Sequence, residues 1–208
     1  MTILMYALVT LIAFFTGDYL TKYLVLKYPE YKMDSKYLMT INILAVIFAI
    51  FIQNRLISNE SFSALNVMVK FAVTASMGVL SGTIASSFMI DCLFKELPDE
   101  NNFIIGLTIA PISLYIFGYK VIFTALILFA VSFVFAYITG QLGMGDVKMM
   151  FFMGLGFLPD KILAFIFTSF GIAYVYCIFK LIKTKFKRKQ YFAFGPYLIL
   201  GFMSVILL

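Results

Sequence analysis

The chain has 208 residues, 63% hydrophobic and 12% charged, with a formal net charge of +6 and a mean hydropathy of +1.02. A soluble domain is nearer half apolar and a quarter charged, so this composition excludes an ordinary water-soluble globule. The sequence contains no His, which excludes Ser-His and Cys-His catalysis and any His-ligated metal.

Taken in chain order, apolar runs fall at 3–17, 38–54, 64–90, 103–118, 119–139, 147–158, 161–182 and 192–208. A membrane-spanning helix needs roughly 20 residues. The runs therefore predict an all-α polytopic membrane protein with seven or eight transmembrane helices, and eight is the count adopted. The least apolar stretch, 27–37, is too short for a soluble domain, so residues 1–208 read as a single integral-membrane domain. Residues 1–17 lack a basic n-region and a small-residue cleavage site, and read as a retained first span. The runs at 103–118 and 119–139 meet at Gly118-Tyr119-Lys120, which predicts a tight turn. The run at 147–158 is short for a span, which suits a tilted or re-entrant segment. No internal repeat is visible.

The third run is long. Its 28 residues from Ala64 to Asp91 would measure about 42 Å at 1.5 Å per residue. That exceeds a hydrocarbon core of about 30 Å, so Asp91 is expected at or beyond the membrane edge. Within this run Ala75, Gly78, Gly82 and Ala85 form a small-residue stripe with one G-x-x-x-G. Such a stripe predicts close helix packing inside the molecule.

The cations orient the chain. With the N-terminus outside, the odd-numbered loops hold Lys22, Lys27, Lys32, Lys36, Lys95, Lys148, Lys180, Lys183, Lys185, Lys187, Arg188 and Lys189, twelve of the sixteen cations. The even loops hold Arg55, Lys120 and Lys161, and Lys70 can snorkel outward. The positive-inside rule thus explains the net charge with no nucleic-acid partner, and puts those odd loops in the cytoplasm. The cluster from Lys183 to Lys189 reads as an inside anchor, with anionic lipid a weaker extra partner. Cys92 and Cys177 lie far apart and outside any C-x-x-C. They read as small apolar packers, with no zinc site or disulfide framework.

Acids near or in a span are functional candidates by default. Three qualify: Asp18, Asp91 and Asp146. Asp146 closes Gly140-Gln141-Leu142-Gly143-Met144-Gly145-Asp146, where three glycines are expected to break the helix and widen the backbone's freedom. Asp91 leads into Leu97-Pro98-Asp99. The helix is expected to end near Leu97, because a residue before Pro leaves the α region. Asp99, Glu100, Asn101 and Asn102 then read as turn residues and a cap. Taken singly, Asp146 reads equally as the end of a turn, and Asp91 as a wetted interfacial acid. As a pair on one membrane face, without His or metal ligands, they suggest an aspartic protease. Two neighbouring carboxyls do not ionise together easily, so one keeps a proton while the other activates water.

With the residues in view, the chain resembles the type IV prepilin peptidases and their preflagellin-peptidase and presenilin-like relatives. Gly143-Met144-Gly145-Asp146 is similar to their G-x-G-D motif, continued by Val147-Lys148-Met149-Met150 and Gly154. Asp91 followed by Leu97-Pro98-Asp99 resembles the first catalytic aspartate and its L-P-D turn. Phe194-Gly195-Pro196-Tyr197-Leu198 resembles the F-G-P-x-L of the last helix. Gly17-Asp18-Tyr19-Leu20, with Lys27 and Pro29, is similar to the G-S-F-L-N…R-x-P of the first helix. The resemblance covers nearly the whole chain. It implies a G-x-G-D protease fold in the bacterial plasma membrane with its active site toward the cytoplasm. It also implies an aspartic endopeptidase trimming the short basic leader of prepilins or pseudopilins. Asp91 and Asp146 carry over as the catalytic pair, with Gly143, Gly145 and Lys148 as supporting loop residues. Glu96 and Glu100 are candidates for attracting the basic leader, against a plain helix-capping role. No metal is implied. S-adenosylmethionine would enter only with the N-methyltransferase activity of many relatives. This chain lacks their cytosolic C-x-x-C segment, and Asp18 stands where they have Ser. Asp18 therefore reads as a helix-end acid beside Lys22.

Two alternatives share these residues. One is a G-x-G-D protease for other membrane or preflagellin-like substrates. The other is a small proton-coupled transporter with Asp91 and Asp146 as a relay, which inverted repeats would favour.

Overall fold

A computed structural model describes residues 2–31, 33–58, 60–140, 142–183 and 193–206. All regular structure among them is helical: α1 Thr2–Lys27, α2 Ser35–Ile57, a single turn α3 Glu60–Ser63, and α4 Val67–Phe94. The chain continues with α5 Asp99–Phe117, α6 Lys120–Thr139, α7 Met144–Gly154, a 3-10 turn Pro159–Lys161, α8 Ile162–Lys183 and α9 Gly195–Val205. Among the described residues six helices are long and apolar enough to cross a membrane: α1, α2, α4, α5, α6 and the stretch Pro159–Lys183 containing α8. Their outward faces carry exposed Ile3, Leu26, Phe123 and Phe167, side chains that need lipid around them. The chain is a multi-pass membrane protein.

Of the eight expected runs, six form helices of full spanning length among the described residues, and the runs at 147–158 and 192–208 form the short helices α7 and α9. Helices α7 and α9 have 11 residues each, about 16 Å of helix, half a hydrocarbon core. The four residues after α7 continue without helix, and Gly154 already lies against Ala125 near the start of α6. The run at 192–208 begins its helix only at Gly195. Of the basic cluster, Lys183 ends α8, while residues 185, 187, 188 and 189 lie outside the described residues, as does Lys32.

Local chemistry moves other boundaries. The first helix runs ten residues past Gly17, because Asp18 pairs with Lys22 one turn on, at 2.6 Å, along the helix itself. Asp18 is thus mid-helix, not at a helix end. Helix α4 starts where the Asn66 side chain accepts from the Val69 N–H. It stops at Phe94, three residues before the expected end, with Lys95 in the left-handed conformation as its cap. The extended backbone that Pro98 requires of Leu97 needs those residues to unwind. Asp99 to Asn102 then form the first turn of α5, with Pro98 as its N-cap, rather than a free turn. The turn after α5 falls at Gly118 as expected, with φ at 67°. Cys92 and Cys177 are both exposed on the helix exteriors, not packed inside.

Helix α4 is the hub. It packs on α1, α2, α5 and α9, and half of its apolar window is buried. The small-residue stripe works within the molecule, as its spacing predicts. A Cβ on Gly82 would lie 2.6 Å from the Ala13 carbonyl and 2.7 Å from the Gly17 nitrogen. One on Gly78 would lie 2.8 Å from Ile12. We expect Gly82→Val to destabilise the bundle by about 1–3 kcal/mol through forced separation of α1 and α4. Gly171→Ala, with nothing within 4 Å, should be neutral or slightly stabilising. Thermal unfolding in detergent compares the two, and equal stability would refute the close-packing account.

Candidate active site

Three helix ends meet around Asp91: the end of α4, the start of α7 and the start of α9. Asp91 sits in the last turn of α4 and is only 3% exposed. Its Oδ2 accepts a 2.8 Å hydrogen bond from the N–H of Gly195, the first residue of α9. The Pro at the second position of that helix presets the local backbone. The free N–H groups of a helix start suit a carboxylate. Gly195 has no room for a side chain, because a Cβ there would lie 2.7 Å from that same oxygen.

Asp146 stands in the first turn of α7, half-buried, with the Gly143 backbone directed to its carboxylate. Asp91 and Asp146 line one cavity of about 430 Å³, together with Gly143, Gly145, Leu97 and Pro98. Residues 55 apart in sequence are brought to a single polar hollow. Asp18 is not there. It lines a separate groove with Phe15, Tyr19 and Val79.

The glycines act through space rather than through unusual dihedrals. Among the described residues of this segment only Gly140 has a positive φ, at 61°. Gly143 has φ −70° and ψ 149°, and Gly145 is helical, conformations open to any residue. The expected widening of backbone freedom at these two positions is therefore corrected. A Cβ on Gly145 would lie 3.1 Å from the Leu97 Cβ, and one on Gly143 would lie 3.3 Å from the Asp146 Oδ2. Glycine lets the Asp146 turn close against the Leu97-Pro98 turn that follows Asp91.

Lys148, one half-turn past Asp146, reaches both oxygens of Asp99 at 2.8 and 2.7 Å. It ties α7 to α5 and does not line the cavity. Glu96 lies on the cavity wall and accepts from the Tyr31 hydroxyl at 2.8 Å. Glu100 is absent from that lining; it pairs with Lys27 and accepts from the Tyr28 hydroxyl at 3.1 Å. Both acids thus have partners from the end of α1 and the connector after it.

Within the 27–37 stretch, the sequence marks no tyrosine as part of the site. Tyr28 and Tyr31 line the cavity, and Tyr31 stacks on Phe94 with ring centroids 4.6 Å apart. Burial, then the Glu96 carboxylate, push the Tyr31 phenol above its ordinary range, so it remains a donor. The only sequence signal was aromatic residues in an otherwise polar loop. Gly195 stood in a recognised motif, but its N–H toward Asp91 was not foreseeable from spacing.

Comparison of the chain with protein-family models, with curated proteins and with solved structures finds no match in any of the three.

Tyr31→Phe and Glu96→Leu should each lower thermal stability by about 1 kcal/mol or more, as loss of a hydrogen bond to a charged group. The double variant should cost little beyond either single one. Fully additive losses would show that the connector is not held by this bond.

Proposed function

We propose that the chain is a membrane-embedded aspartic endopeptidase of the type IV prepilin leader-peptidase kind, with Asp91 and Asp146 as its catalytic pair. The observation that carries this reading is that both aspartates line one cavity, at two helix starts and one helix end. Hydrolysis needs both carboxyls in different states. The ionised one takes a proton from water as the water oxygen bonds to the scissile carbonyl carbon. The protonated one donates to the carbonyl oxygen. The tetrahedral intermediate then collapses, the C–N bond breaks, and the leaving amine takes a proton. Products are a carboxylate and a new N-terminal amine.

The substrates are prepilins or pseudopilins, whose short basic leader lies in the cytoplasm beside a hydrophobic helix held in the bilayer. The bacterial plasma membrane, with the aspartate cavity toward the cytoplasm, fits the distribution of cations. Glu96, on the cavity wall, is the acid best placed to meet a basic leader. Exposed attraction of this kind contributes about 1 kcal/mol or less per pair. Glycines 143 and 145 leave room for the Asp146 turn, and Lys148 adds an exposed, weak tie to Asp99.

The test is cleavage of a candidate prepilin from the same genome, with mass spectrometry of the product, which also reports N-methylation. Asp91→Asn and Asp146→Asn should each lower cleavage by at least about 10²-fold while the protein stays folded in the membrane. Asp18→Asn should retain most activity. Near-normal cleavage by either of the first two would overturn the assignment. A wild type that spares prepilins but cuts other membrane peptides would change the substrate class alone.

Gly195→Ala offers a second check through geometry, since it leaves both carboxyls in place and crowds one. We expect cleavage to fall by about tenfold or more, because an ångström of misplacement is costly at a reacting centre. Gly145→Val should behave likewise through Leu97. Unchanged turnover in both would show that the cavity tolerates displacement that a catalytic dyad would not.

A further inference from the structure

Three links join the Asp146 turn to the segment that follows Asp91. The first is the contact of Gly145 with Leu97. The second is Lys148 with Asp99, whose side chains are 42% and 67% exposed, so it holds little. The third is better shielded, though only part-buried. Asn102, in the first turn of α5 and 1% exposed, donates from Nδ2 to the Gly145 carbonyl at 3.3 Å. Gly145 immediately precedes Asp146. A carbonyl can only accept, so this contact sets the amide's orientation.

That orientation leaves the Asn102 Oδ1 buried with no partner among the described residues. A buried amide oxygen without a donor is unfavourable. An apolar side chain of similar volume would suit a seam whose only role was packing. The neighbouring Asn101 makes a useful contrast. It is also fully buried with an unpartnered Oδ1, but donates away from the loop, to Ser87 at 3.0 Å; what sets Asn102 apart is its acceptor, the Gly145 carbonyl. We infer that Asn102 is a positioning residue, holding the Gly145–Asp146 turn at the distance from Asp91 that the reaction needs. The inference rests on the peptidase reading for its catalytic consequence, but the restraint itself can be measured without cleavage.

The experiment compares full-length wild type, Asn102→Leu and Asn101→Leu in lipid nanodiscs. Two measurements are made: prepilin cleavage kinetics, and backbone hydrogen exchange of peptides covering 143–147 and, as a folding control, α6. Asn102→Leu should lower kcat by about tenfold or more, by misplacing a catalytic group. KM should stay close to wild type, and exchange across 143–147 should speed up with α6 unchanged. Asn101→Leu removes an α4–α5 hydrogen bond but no contact of the turn, and should leave exchange across 143–147 at the wild-type rate. If Asn102→Leu does not insert, Asn102→Ala, which cannot clash, is read by the same criteria. Wild-type kcat and exchange in the Asn102 variant would overturn the inference while leaving the peptidase reading intact. Equal loosening of 143–147 by both variants would overturn it too, as general destabilisation. A wild type that cleaves no prepilin would fail the peptidase reading, and the exchange comparison would still decide whether Asn102 restrains the turn.

Discussion

A carboxylate that is only 3% exposed must find a donor or give up its charge, and the arrangement around Asp91 follows from that requirement. The donor is a backbone N–H at the start of α9. To deliver it, α9 must dock on α4, and position 195 must be glycine, since a Cβ would strike the carboxylate it serves. The dock has further consequences. Phe202 of α9 crowds Gly156 after α7, and Ser169 of α8 fills the space beside Gly201. Helices α7 and α8 both pack on the helix that delivers this donor.

Lipid removes the usual reason for helices to associate, because the surrounding tails are as apolar as the side chains. Close backbone approach replaces it. Gly82 lies against the α1 backbone, Gly154 against Ala125 of α6, and Gly106 against Phe152 of α7. These seams put α4 at the centre with α1 and α2 on one side and α5, α7 and α9 on the other. The same rigidity lets two short turns face each other across the cavity.

The polar groups collect at the cavity end. Lys27, Tyr28 and Tyr31 tie the α1–α2 connector to Glu100 and Glu96, and Lys148 ties α7 to Asp99. Beneath Asp91 the polar atoms continue inward. Thr21 donates to Ser86 at 3.1 Å, and Asn101 donates to Ser87, all from buried positions of α1, α4 and α5. Hydrogen bonds between side chains of different helices cannot be exchanged for water here, so they fix the register of these three helices. A proteolytic reading of the cavity needs that fixity, because a dyad works only at a set separation.

The sequence by itself determined the class of structure. Apolar runs of about 20 residues and a scarcity of charge are local properties, and hydrocarbon leaves helices as the solution for such runs. It also singled out Asp91 and Asp146, because an acid beside an apolar run is costly enough to stand out. It misjudged the run ends, where a pair such as Asp18–Lys22 or a proline such as Pro98 shifts a helix by several residues. The tertiary structure alone decided that the two aspartates share one cavity and that Gly195 meets the first of them. It alone gave Gly145 a steric role rather than a conformational one, and set Asn102 against the Gly145 carbonyl. Those facts depend on side chains 43 to 104 positions apart. The short-range periodicity of a helix carries no record of such distances; they are set by how the helices pack.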